Sequence, residues 1–288
     1  MSLNDSQWIT ETLENRTAFS VRYTRKLVDT KTDFQHMMIV ETEALGRILV
    51  LDGCFMLTER DHFVYHEMIV HPAMSVLQKP RTVLIIGGGD GGAVTEVVKY
   101  PQVEKVILCE LDPLVVLASK EFLPEVSAGL ADPRVQIVHE DGARYVAAFE
   151  NAFDLVIIDS TDPVGPGASL FTVPFYQSIR RSLKEGGIAV MQSEGPLFMP
   201  DEFQMCFANL DRAFGQEHVF PYLTVVCCYP GGLWSFAFCS ETRHPLRDAR
   251  ETIPPEIQKN LRYYNARVHR AAFALPGYIQ ELRITAGS

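Results

Sequence analysis

Five short apolar runs dominate the chain after Lys79-Pro80: residues 83–86, 106–110, 134–138, 154–159 and 188–192. Helical stretches separate most of them, from about Gly91, from Pro113, near residues 142–149 and near 172–184. A run that is apolar along its whole length suits a strand covered on both faces. Strand–helix alternation of this kind builds a parallel sheet with helices on each side. Upstream, FSVRYTRKLV, FQHMMIVE and GRILVLDG read as strands within residues 17–58. Residues 61–77 carry apolar positions at helical spacing, opened by Asp61. Near the end, EHVFPYLTVVCC and LWSFAFC read as a strand pair. The expectation is a small N-terminal β domain over residues 1–60 and a larger doubly wound α/β domain over 61–288.

Charge narrows the partners. The net charge is −10, yet residues 241–288 hold 8 basic against 5 acidic side chains, so the acidity lies in the first 240 residues. Such a body repels phosphate backbones and draws in small cations, so nucleic acid is not an expected partner. No run approaches the ~18 apolar residues of a membrane span, and no membrane partner is expected. The first residues lack the basic start and apolar core of a signal peptide. The six cysteines show no C-x-x-C spacing, which speaks against a zinc ribbon or disulfide scaffold. A reducing, cytoplasmic location is expected.

The strongest local motif is Gly87-Gly88-Gly89-Asp90-Gly91-Gly92, directly after an apolar run. It fits G-x-G-x-x-G at a strand-to-helix turn, where glycines let a ligand approach the backbone. Glu110 ends the next strand, 18 residues past Gly92, close to where a carboxylate would bind ribose hydroxyls. Asp90 inside the loop opposes a pyrophosphate, which argues against a dinucleotide. Asp141-Gly142 follows the third strand, where a carboxylate could accept from an adenine amino group. The fourth strand ends in Asp159-Ser160-Thr161-Asp162-Pro163, beyond the carboxyl end where α/β sheets bind ligands. Carboxylates gathered there should hold a cation, and an amine is favoured over a metal. His62, His66, Glu67 and His71 share a helical stretch but lack H-E-x-x-H and a third spaced ligand, so no metal is expected. His66 is instead assigned to the substrate. Trp8 and Glu11 carry no signal by themselves.

Together these stretches resemble the spermidine synthases, the polyamine aminopropyltransferase family. The resemblance runs through TERDHFVYHEM, VLIIGGGDGG, CELDP, DGARYV, FDLVIIDSTDPVGPGASLF and YYNARVHRAAFALP. It implies a Rossmann-like, methyltransferase-type fold and transfer of an aminopropyl group from decarboxylated S-adenosylmethionine to putrescine. Spermidine and methylthioadenosine would be the products. By motif, Gly87, Gly89, Glu110, Asp141, Gly142, Gln35 and Pro166 would hold the nucleoside, and Asp90 the amine of the aminopropyl arm. Asp159 would be the catalytic base. Tyr65, His66, Asp162 and Tyr229 would orient the amines, with Glu194 and Trp8 at the far end of the diamine. No prosthetic group is implied, and a homodimer or homotetramer is. Met56 stands where many members have glutamine, and Cys227-Cys228-Tyr229 where many have Pro-Thr-Tyr.

The chemistry follows from the residues. A sulfonium already carries a good leaving group, whereas an amine at neutral pH is protonated and has no lone pair. One carboxylate must take that proton, and others must hold the remaining ammonium. Other acceptors (cadaverine, agmatine, spermidine) would keep the mechanism. An S-adenosylmethionine-dependent amine methyltransferase would keep the fold, but Asp90 opposes the carboxylate of that donor. A non-catalytic polyamine-binding protein is the remaining alternative.

Overall fold

A computed structural model describes residues 7–13, 16–163 and 165–285; the side chains of Pro166, Ile284 and Thr285 lie outside that description. Among the described residues the chain begins with β1 (Trp8–Leu13) and β2 (Thr17–Arg22), an antiparallel hairpin. A four-stranded antiparallel sheet follows, in the order β3 (Arg25–Lys31), β4 (His36–Thr42), β5 (Gly46–Leu51) and β6 (Cys54–Thr58). FSVRYTRKLV is therefore not one strand. Tyr23 N–H donates to Gln7 in the hairpin, while Thr24 N–H donates to Glu41 in the sheet. The chain changes sheets between two adjacent residues.

Helix α1 (His62–Val76) joins this region to the rest. Residues 64–76 are all buried, so the helix is enclosed and not amphipathic. Asp61 does not cap it. Its carboxylate accepts from Thr58 Oγ1 at 2.6 Å and from Cys228 N–H at 3.0 Å instead.

The large sheet holds β7 (Thr82–Gly87), β8 (Lys105–Cys109), β9 (Val135–Val138), β10 (Phe153–Asp159), β11 (Leu183–Gln192), β12 (Val219–Val225) and β13 (Leu233–Cys239). Its order is β12-β13-β11-β10-β7-β8-β9. The five strands from β11 to β9 are parallel, and β12 and β13 add an antiparallel edge. Crossover helices are α2 (Gly92–Val97), α3 (Pro113–Phe122), α4 (Gly142–Ala147) and α5 (Val173–Ser182). The sequence reading places no element over α6 (Pro200–Phe214), nor over the C-terminal α7 (Pro255–Gln258), α8 (Ala266–Ala272) and α9 (Gly277–Thr285).

Alternate residues of each central strand feed two cores, as the two-residue strand period requires. Val83 and Ile85 join α1 and α2 on one face, while Leu84 and Ile86 join α5 and α6 on the other. This is the Rossmann-like α/β class expected. The central residues of these strands are apolar because both faces are covered.

Candidate active site

The carboxyl ends of β7, β8 and β10 open into a cavity of about 950 Å³, lined also by Gln35, Met56, Tyr65, His66 and Tyr229. In the β7–β10 register Asp159 sits beside Gly87, so the glycine loop and the Asp159 loop leave the sheet together. Gly88 has φ +68°, and a Cβ there would fall 2.7 Å from Asp159 Oδ2. Only glycine lets the loop lie against that carboxylate.

Tyr65 Oη donates to Asp159 Oδ1 at 2.8 Å. Asp159 Oδ2 is buried and accepts no hydrogen bond among the described residues. Burial pushes the Asp159 carboxyl up to about 6, and the charge of Asp90 adds to the rise; His66 and the Tyr65 hydroxyl oppose it. Asp90 accepts from Gly92 N–H at 2.7 Å, and its Oδ1 lies 3.2 Å from His66 Nε2. Burial alone would raise Asp90, but His66 and the Gly92 N–H bring it below its ordinary value. Polar side-chain atoms of His66, Asp90 and Asp159 lie within 4.8 Å of one another, so the two carboxylates can share one positive charge.

Glu110 leaves β8 and accepts from Gly89 N–H at 3.0 Å and from Asp112 N–H at 2.9 Å. Burial pushes its carboxyl up to about 7. Asp141 caps α4, accepting from Arg144 N–H at 3.0 Å. Gln35 Nε2 donates to Asp112 Oδ2 at 3.1 Å, which ties the N-terminal sheet to the wall of the cavity.

A second cavity of about 390 Å³ adjoins the first and shares Met56, Tyr65, Ser160, Thr161 and Tyr229 with it. Asp162, Glu11, Cys54, Gln192 and Trp234 are among its other lining residues. Tyr229 Oη donates to the carbonyl oxygen of Met56 at 2.8 Å. Glu11 reaches this cavity from β1; its carboxylate accepts from Phe55 N–H at 2.7 Å, and burial pushes it up to about 7. Trp234 Nε1 is buried without a hydrogen-bond partner.

Most of the residues assigned from the sequence converge here. Gln35, Gly87, Gly89, Asp90, Glu110, Asp141, Gly142, Asp159, Tyr65, His66 and Tyr229 line the first cavity, and Asp162 and Tyr229 the second. Trp8 and Glu194 line neither. Trp8 pairs with Arg22 across the hairpin. Glu194 is fully buried at φ +69° and accepts from Gln192 Nε2 at 2.9 Å. Burial, then the nearby charge of Asp162, holds Glu194 well above its ordinary value. The side chain of Pro166 lies outside the described residues. Glu11 is the acidic group that sequence reasoning passed over. A glutamate on the inward side of a short strand is its only signal.

Comparison with known proteins gives a consistent picture. Residues 62–249 match the family described as spermine/spermidine synthase domain, and residues 7–59 the spermidine synthase tetramerisation domain. A polyamine aminopropyltransferase of Moorella thermoacetica is 44% identical over 95% of this chain and 95% of its own length. One from Thermoanaerobacter sp. is 42% identical over 96% of this chain and 98% of its own. A crystal structure of spermidine synthase in complex with the transition state analogue AdoDATO matches with a TM-score of 0.94. It is 39% identical and covers 98% of this chain and 96% of that one.

Proposed function

The chain belongs to the spermine/spermidine synthase family and is a polyamine aminopropyltransferase; on that footing we propose that it moves the aminopropyl group of decarboxylated S-adenosylmethionine onto putrescine. The observation that carries the mechanism is the unpartnered Oδ2 of Asp159, buried in the cavity with its twin oxygen held by Tyr65.

The nucleoside occupies the first cavity. Glu110 receives the ribose hydroxyls, Asp141 and Gly142 the adenine, and Gln35 closes the wall. Asp90 holds the ammonium of the aminopropyl arm. The diamine threads from the first cavity into the second, with its far ammonium between Asp162 and Glu11. Asp159 Oδ2 takes one proton from the near ammonium. The freed lone pair attacks the carbon next to the sulfonium, and the carbon–sulfur bond breaks with its electrons going to sulfur. The products are neutral methylthioadenosine, spermidine protonated at its new secondary nitrogen, and a proton on Asp159 that returns to solvent. A base poised at about 6 is ionised at neutral pH yet still basic enough to accept.

A mass-spectrometric product assay tests this reading. Purified protein receives decarboxylated S-adenosylmethionine with equimolar putrescine, cadaverine, agmatine and spermidine, and parallel tubes receive S-adenosylmethionine. Spermidine with methylthioadenosine is expected, and nothing from the methyl donor. Another aminopropylated amine would refute putrescine as acceptor and turn attention to Met56 and Cys54. Absence of methylthioadenosine from every tube would refute the transfer itself.

A further inference from the structure

His62 stands one turn before His66 on α1, partly buried, and lines neither cavity. Its Nδ1 lies 3.2 Å from Nδ1 of His66. On the other side of the same ring, His66 Nε2 lies 3.2 Å from Asp90 Oδ1. Asp90 Oδ1 at that distance is an ion-pair partner for a protonated His66 Nε2. Two Nδ1 atoms make a hydrogen bond only when one carries a proton and the other a lone pair. Either His66 donates from both nitrogens, or a protonated His62 nitrogen donates to a neutral His66.

The charged groups around the pair decide between these arrangements. His66 faces Asp90, Asp159 and Glu96. His62 has Asp90 and Glu96 on one side but also Arg262, whose guanidinium lies 3.7 Å over the Phe63 ring. Burial pushes His62 down to about 4, and the neighbouring His66 adds to the fall. Burial would lower His66 too, but Asp90, with Asp159 and Glu96, more than reverses it. Both effects favour the positive charge on His66 and leave His62 as the neutral acceptor. The His66 ring fills space that only a glycine at position 92 leaves open, since a Cβ there would fall 2.1 Å from its Cε1.

Building on the transfer reading above, we propose that His62 is a positioning residue that keeps His66 an imidazolium beside Asp90 and Asp159 by accepting its buried Nδ1–H. Without that acceptor the Nδ1–H would be buried unpaired, and the imidazolium would lose its advantage. Asp90 and Asp159 would then face each other without the intervening positive charge, and Asp159 would hold its proton to higher pH.

Ring-nitrogen NMR on histidine-labelled protein tests this directly. At pH ~6 the native chain should show His66 doubly protonated and His62 neutral. His62→Asn offers an oxygen near the place of Nδ1 and should keep His66 charged. His62→Leu should leave His66 neutral at the same pH and move the acid limb of kcat/KM up by about half a unit or more. A neutral His66 in the native chain, or an imidazolium that survives in His62→Leu, would overturn the assignment. The ring spectra do not depend on which group is the base. An Asp159→Asn enzyme that kept its turnover would therefore sink the base reading by itself.

Discussion

One oxygen of Asp159 is tied to Tyr65 and the other is left bare, and this division sets what the residue costs as well as what it does. Its folded pKa of about 6 exceeds the unfolded value of 3.8, so the folded state binds the proton more tightly. The stability gained from this is fully present below about pH 4 and is lost as the pH rises through 6. At pH 7.5 the ionised group is a net burden on the fold. Asp159→Asn should therefore do two opposite things. Turnover should fall by about 10²- to 10⁴-fold, with nucleoside affinity within about threefold. Stability at pH 7.5 should rise by about 1–3 kcal/mol, and that gain should vanish near pH 4. Calorimetry at both pH values with single-turnover kinetics would check this; unchanged turnover, or a gain independent of pH, would contradict it.

At the scale of elements, α1 acts as the hub, and Glu67 shows how. Its two oxygens accept three backbone N–H groups of the C-terminal segment: Arg262 at 2.7 Å, Tyr263 at 2.9 Å and Tyr264 at 2.6 Å. Glu67→Gln replaces one acceptor oxygen with a donor and strands at least one of those N–H groups. Denaturant unfolding should report a loss of about 2–4 kcal/mol, with faster hydrogen exchange at residues 262–264. A loss under about 0.5 kcal/mol would mean the clasp is incidental. Nothing in the sequence announces this clasp, since its donors are backbone groups some 195 residues away. The same contrast explains what was legible. The central residues of β7, β8, β10 and β11 are apolar in unbroken runs because helices cover both faces, so they stand out. The carboxylates at their ends were placed by the strands themselves. Strand β1 is hidden because its inward positions are Ile9 and Glu11, and a charge on the buried side defeats the alternation. The break at Tyr23-Thr24 is hidden because each residue keeps a strand-like partner, only in different sheets.

For the whole molecule, the N-terminal strands do more than flank the catalytic sheet. Glu11, Gln35, Cys54 and Met56 all reach the two cavities from that region. A two-stranded hairpin such as β1–β2 is marginal by itself. Here Glu11 clips it to β6 through Phe55 N–H, and the Phe19 and Phe55 rings pack edge to face with centroids 5.7 Å apart. Residues 7–59 match a tetramerisation domain, and we expect this region to be stabilised further by closed symmetric assembly, as dimer or tetramer. Sedimentation across a dilution series should show oligomer and activity lost together. A stable monomer with full activity would separate the two.

The hydroxyl of Tyr229 grips the carbonyl of Met56, an atom that every amino acid possesses. The wall between the two cavities is thus anchored by main chain, while the side chain projecting from it is left to mutation. Position 56 is a replaceable tile in a fixed frame. A lineage carrying this frame could vary the side chain at position 56 without disturbing the bond that anchors the wall.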